Sequence, residues 1–228
     1  MFFCAALFPQ HAPADYQEHK VLGWTVHVER RIRRERPRLW TAAFDELSGQ
    51  LRRVERVVPD GPLAELKRVP IWIHLNNPST IGAAFHPSRE WLVEHKQNAR
   101  MAMSIEIGNL QNFVSWTYQQ PWMLMHELAH ACHFRSHAKG EGNEAIKAAH
   151  LAAVDSGRYA SVLKYSGESD KHYALTNDKE YFAETTEAYF GRNDFYPFVN
   201  AELRQFDPKG YELMLKIWGP IRPKIPNG

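Results

Sequence analysis

The chain is poor in cysteine, with only Cys4 and Cys132 in 228 residues. That is too few for a disulfide scaffold at this length. Cys132 falls in an apolar helical stretch and reads as a small buried side chain rather than a nucleophile. Long apolar runs are also missing. No segment approaches the roughly 18–20 residues of a membrane span, so no membrane span is expected. Charge of one sign is not in excess: 28 Lys and Arg stand against 26 Asp and Glu, a formal net charge of +2. Basic residues do cluster between 30 and 38 (Arg30, Arg31, Arg33, Arg34, Arg36, Arg38). Only Trp40 brings an aromatic ring near them, and no nucleic-acid motif accompanies them, so nucleic acid is not an expected partner. Internal repeats and low-complexity tracts are absent.

What remains is an ordinary globular composition, 44% hydrophobic and 24% charged, enough for one sizeable core. Residues 2–8 form a short apolar run ahead of Ala12-Pro13-Ala14, a small-x-small pattern without a basic leader. Residues 1–20 read either as an apolar N-terminal arm or as the remnant of an export signal, which leaves the compartment open. Residues 21–228 read as one domain, with an N-lobe over about 21–137 and a C-lobe over about 138–228.

Trp24, Val26 and Val28 alternate with polar residues, the pattern of a half-buried strand. Leu39, Ala43, Phe44, Leu47, Leu51, Val54 and Val58 recur at helical spacing. Residues 70–75 and 101–107 read as further strands. Residues 122–137, 143–154, 180–190, 195–206 and 211–218 read as helices. Strands come early and helices late, which predicts an α+β fold with the two kinds segregated.

The segment WMLMHELAHACHF, residues 122–134, places His126, Glu127 and His130 among Leu, Met and Ala. Two histidines four apart project from the same helical face, one above the other, and their ring nitrogens can meet one zinc ion. Glu127 sits about 100° round the helix, displaced from the ligand positions and suited to hold a water as general base. Three ionisable residues on one apolar turn are costly to bury without a partner. A catalytic zinc site needs a third protein ligand. The extension with Gly and His three and six residues beyond the second histidine fails here, because His133 and Ser136 stand in those places. His133 and His137 share the face of His126 and His130, and each reads as a partner behind a metal ligand, a substrate-facing group, or a plain core or solvated histidine.

The better third ligand is downstream. Glu180, Glu184 and Glu187 share one face of a short helix that starts near Asn177 or Asp178, both good N-caps. The helix carries so many large apolar residues that little polar surface remains, which favours packing against the histidine helix. Glu180 then becomes the candidate ligand, and Glu184 a candidate acceptor behind a ligand histidine or a surface carboxylate. Tyr173 reads as either a packing or a functional tyrosine.

His126-Glu127-Leu128-Ala129-His130, with the block YALTNDKEYFAE over residues 173–184, resembles the catalytic domain of the anthrax lethal factor family of zinc metallopeptidases. The likeness covers about residues 120–190. It implies a zincin-like domain, an N-terminal mixed sheet beside the active-site helix, and a C-terminal helical lobe supplying Glu180. It further implies one zinc ion held by His126, His130 and Glu180, with Glu127 as general base. Tyr173 would steady the oxyanion of the tetrahedral intermediate. Peptide or protein is the implied substrate. Nothing resembles the toxin's receptor-binding, delivery or docking domains, so toxin activity does not follow.

Two further expectations concern the cleft. The strand 101–107 reads as an edge that pairs with an extended substrate, or as an ordinary sheet strand. The loop 82–88, with His86, reads as a roof over the cleft or a plain connection. A competing reading is a non-catalytic zinc or peptide-binding module on a metallopeptidase-like scaffold, against which the intact Glu127 argues. Hydrolysis of a non-peptide amide is a third. Oligomeric state is not legible.

Overall fold

The computed structural model describes residues 15–135 and 144–222. The first strand, β1 (Tyr16–Val21), turns at once into β2 (Trp24–Glu29). The two-residue connection, Leu22 and Gly23, has positive φ at both positions, the backbone that matches the twist of an antiparallel hairpin. The boundary expected at residue 20 therefore falls inside a sheet strand. Residues 1–14 of the expected arm or signal lie outside the described residues.

A short α1 (Arg31–Glu35) leads into the long α2 (Pro37–Val57), which has proline at its tolerant first position. Its buried stripe includes Ala43, Leu47, Leu51 and Val54, the periodic residues of the sequence. Then come α3 (Asp60–Leu66), β3 (Ile71–Ile73), β4 (Ala83–His86) and α4 (Arg89–Glu94). They are followed by β5 (Ser104–Ile107) and α5 (Leu110–Trp116). The histidine helix is α6 (Met123–Arg135). Beyond it lie α7 (Glu144–Asp155), a small hairpin of β6 (Val162–Leu163) and β7 (Ser169–Asp170), and α8 (Asp178–Phe190). The last two helices are α9 (Asn200–Phe206) and α10 (Pro208–Trp218). That hairpin lies between the helices expected at 143–154 and 180–190, and the helix expected from 195 begins only at Asn200.

The fold is α+β around a mixed five-stranded sheet of order β1-β2-β3-β5-β4. Strands β2, β3 and β5 run parallel, while β1 and β4 pair antiparallel at the two edges. This settles the reading of 101–107 as an ordinary sheet strand: β5 is internal, and β4 is the edge beside it. The sheet pairs β5 on both sides because Ile105 and Ile107 join Ile71, Ile73, Val26 and Val28 in the main core. That face packs under α2 and α6, and α8 continues the same core on the far side of α6. On the opposite face, Trp72, Leu92 and Met101 form a smaller cluster. Among the described residues, no helix is long and apolar enough to cross a membrane.

Candidate metal centre

Helix α6 is buried on almost every side: Met123, Leu124, Met125, Leu128, Ala129 and Ala131 all lie in the core. That burial fixes the rotation of the helix and turns His126 and His130 toward α8. Helix α8 is held as firmly. The Asn177 side chain accepts from the amides of Lys179 and Glu180, so the first turn is capped where Glu180 projects. All ten residues from Tyr181 to Phe190 are buried. The carboxylate stripe is therefore an interior feature, and it faces α6.

Three donor atoms converge. Glu180 Oε2 lies 3.1 Å from His126 Nε2 and 3.4 Å from His130 Nε2. The ligand atoms of the three residues all fall within 4.8 Å of one another. A tetrahedral ion about 2.0–2.1 Å from each donor sets donor–donor separations near 3.3 Å, which the two Glu180–histidine distances match. Two imidazole nitrogens and one carboxylate oxygen are a donor set of the kind found in catalytic zinc sites. The three residues are close enough to hold a metal ion.

The charge around them favours a cation. Burial opposes a charged His126, but Glu180 and Glu187 outweigh it and lift its pKa well above the ordinary histidine value. Burial likewise opposes ionised Glu180, yet the bonds from His126 and His130 hold its carboxyl well below the usual carboxylate range. Behind them, burial and the neighbouring Glu187 push Glu184 well up, and burial raises Glu187. Asp194, brought in by the loop after α8, is raised by burial too.

The expected partner behind the ligand histidine is corrected in one respect. His126 Nδ1 donates to Glu187 Oε1 at 2.8 Å, whereas Glu184 Oε1 stands 3.6 Å away, beyond a hydrogen bond. Glu184 is nevertheless buried, 2% exposed, and not a surface carboxylate. The signal for Glu187 was present, since it lies seven residues from Glu180 on the same helical face. Asp194 had no comparable signal, because no periodicity reaches its loop.

Glu127 is 8% exposed, and its Oε2 accepts from the backbone amide of Phe85 on β4 at 2.8 Å. That contact sets the carboxylate against the free edge of the sheet. Tyr173 begins a one-turn helix, Tyr173–Leu175, capped by His172, whose Nδ1 accepts from the Ala174 amide. It is 47% exposed and lines one cleft with His126, Glu127, Ile81, Gly82 and Trp116. Burial and the charge of Glu180 raise the Tyr173 pKa, so its hydroxyl keeps its proton at neutral pH. A second cleft opens past the other side of the histidines, walled by Phe85, Pro87, Phe134, His130 and His133.

The remaining candidates divide. His133 is buried at the wall of that second cleft, with its ring 5.6 Å from Phe182. His137 lies outside the described residues. His86 does not roof the cleft: it belongs to β4, and its ring turns to the other face of the sheet, 2.8 Å from Glu106. Burial pushes the Cys132 thiol up to about 12, which keeps it an unreactive packing group. Compared with protein-family models, curated proteins and solved structures, the chain finds no match.

Proposed function

We propose that the protein is a zinc-dependent metallopeptidase with a zincin-like architecture, the reading implied by its likeness to the anthrax lethal factor family. One observation carries it. A single oxygen of Glu180 approaches the Nε2 atoms of both His126 and His130, while Glu127 from the same helical turn and Tyr173 border the adjoining cleft. His126, His130 and Glu180 would hold one zinc ion, and Glu187, by accepting from Nδ1, leaves Nε2 of His126 free to ligate. When bound, zinc supplies a Lewis acid that lowers the pKa of water and polarises a carbonyl.

The chain's own groups then do the proton work. Glu127 is anchored through one oxygen by the Phe85 amide, so its other oxygen is left to take a proton from the attacking water. The same carboxyl returns that proton to the leaving amine. The Tyr173 hydroxyl donates to the carbonyl oxygen as negative charge builds there. Strand β4 supplies the substrate track. Its Gly82 and His86 carbonyls accept from Gly108 and Met103 on the β5 side. Strand alternation therefore turns both backbone groups of Ala83 and the Phe85 carbonyl to the open edge, the Phe85 amide being taken by Glu127. An extended peptide paired there runs past Glu127.

The test is metal analysis of wild type, Glu180→Ala and Glu127→Gln, coupled to cleavage of a peptide library. The expected result is one zinc per wild-type chain, cleavage by wild type alone, and zinc lost only from Glu180→Ala. Zinc bound equally well by Glu180→Ala would remove that residue from the ligand set. A zinc-loaded wild type that cuts no peptide would overturn the peptidase reading.

A further inference from the structure

Glu106, in the middle of β5, is a buried carboxylate that the reaction above does not use. It is 0% exposed and pairs in register with Trp72 and Ala84, so it points to the sheet face away from α6. Its two oxygens gather four side chains. Oε1 accepts from Asn77 Nδ2 at 2.6 Å and lies 3.4 Å from His74 Nε2. Oε2 accepts from the Thr80 hydroxyl and from His86 Nε2, each at 2.8 Å. Three of these four spokes lead to one stretch of chain, residues 77–86. That stretch carries Ile81, Gly82 and Ala83 of one cleft and Phe85, which lines the other and donates to Glu127.

Two further facts bear on how that stretch is held. Gly108 presses on it so closely that a Cβ there would fall 2.0 Å from the Thr80 carbonyl oxygen. And β4, only four residues long, has a sheet neighbour on one side alone, so its own ladder pins it weakly. A buried charge is a poor way to gain stability, since apolar packing of equal volume does as well or better. Its advantage is that a fixed set of donors is satisfied in one arrangement only.

We propose that Glu106 is a positioning residue which hangs the cleft wall, residues 77–86, on the central sheet and thereby presents the Phe85 amide to Glu127. Its part in catalysis rests on the peptidase reading; its part in holding the wall does not. The Glu127 carboxylate is thus set from two sides, by α6 beneath it and by a wall that Glu106 holds from the far face of the sheet.

Hydrogen exchange read by mass spectrometry on the full chain tests this, with metal content measured on the same samples. In Glu106→Gln, amides of residues 77–86 should exchange about tenfold or more faster, while those of α6 and α8 keep their wild-type rates. Metal content should not change, and kcat/KM on any peptide the wild type cuts should fall about tenfold or more. Thr80→Val removes one spoke at nearly constant volume and should give the same localised change, smaller, even where the Gln variant does not fold. Wild-type exchange over 77–86 in whichever variant folds overturns the proposal. So does a rise shared equally by α6 and α8, the mark of a merely structural role. An inactive wild type would sink the peptidase reading alone, because exchange needs no turnover.

Discussion

His126 is gripped from two sides by one helix: Nδ1 donates to Glu187 at 2.8 Å, while Nε2 faces Glu180 at 3.1 Å. The first contact fixes the ring and its tautomer, and the second lies within the trio close enough to hold a metal ion. Glu187→Gln should therefore leave the fold intact and weaken zinc affinity about 10- to 100-fold, the usual consequence of losing such an orienting carboxylate. Glu184→Gln should weaken it less, because its nearest oxygen stands 3.6 Å from the same nitrogen. Competition with a chromophoric chelator measures both. Equal losses for the two variants would mean that the ring is not oriented by Glu187.

Glu127 and Tyr173 border one cleft, and the proposed reaction gives them different work. In Glu127→Gln the amide oxygen can still accept from Phe85, so the wall stays in place and zinc is retained. The lost base should lower kcat by about 10²–10⁴. Tyr173→Phe keeps the ring and removes only the hydroxyl, and should lower kcat by about 10²–10³ with KM little changed. Steady-state kinetics on a cleaved library peptide checks both. A Tyr173→Phe enzyme with wild-type kcat would return that residue to packing.

Local chemistry made the helix pair legible. Histidines four apart on an apolar helix, and a carboxylate stripe on a helix with little other polar surface, each have one economical use, and the two helices do pack together. The sheet was harder. Residues 101–107 have strand composition, but whether a strand is internal or an edge depends on which neighbours it finds. That is settled by Ile71, Ile73, Ile105 and Ile107 meeting in one core. The loop reading of 82–88 failed for a related reason: four residues become β4 only because β5 offers them a ladder. The Glu106 network was illegible because its members, between His74 and Glu106, share no period and meet only after the sheet forms.

His172 gives the fold an acid limit. It is 2% exposed, and burial pushes its pKa down to about 3 from 6.5. The neutral ring is favoured in the folded state, while the unfolded chain takes up a proton near pH 6.5. Stability from this group is thus complete above pH 6.5, falls as pH drops below it, and is fully lost only near the folded value. Between pH 7 and pH 5 the loss amounts to about 2 kcal/mol. His172→Asn keeps an acceptor for the Ala174 amide and has nothing to titrate. Urea unfolding at both pH values should show wild type losing about 2 kcal/mol more than the variant over that interval. Parallel losses would mean that His172 is not the group responsible.

Gly191 controls how closely the two site helices approach. It ends α8, and a Cβ placed on it would lie 1.8 Å from Cε2 of Trp122, so the indole rests directly on its backbone. The φ of −152° suits any residue, so the demand for glycine here is steric and not conformational. Trp122 also accepts from the His126 amide through its carbonyl, which ties this contact to the start of α6. Gly191→Ala must push the indole away, at about 2 kcal/mol for overpacking a filled interior, or about 4–8 °C in Tm. The displacement acts at the junction that sets His126 against Glu187, so zinc affinity should fall in the same variant. Calorimetry and chelator competition separate the two effects. A lowered Tm with unchanged affinity would show that the Trp122–Gly191 contact stabilises the fold without setting the metal residues.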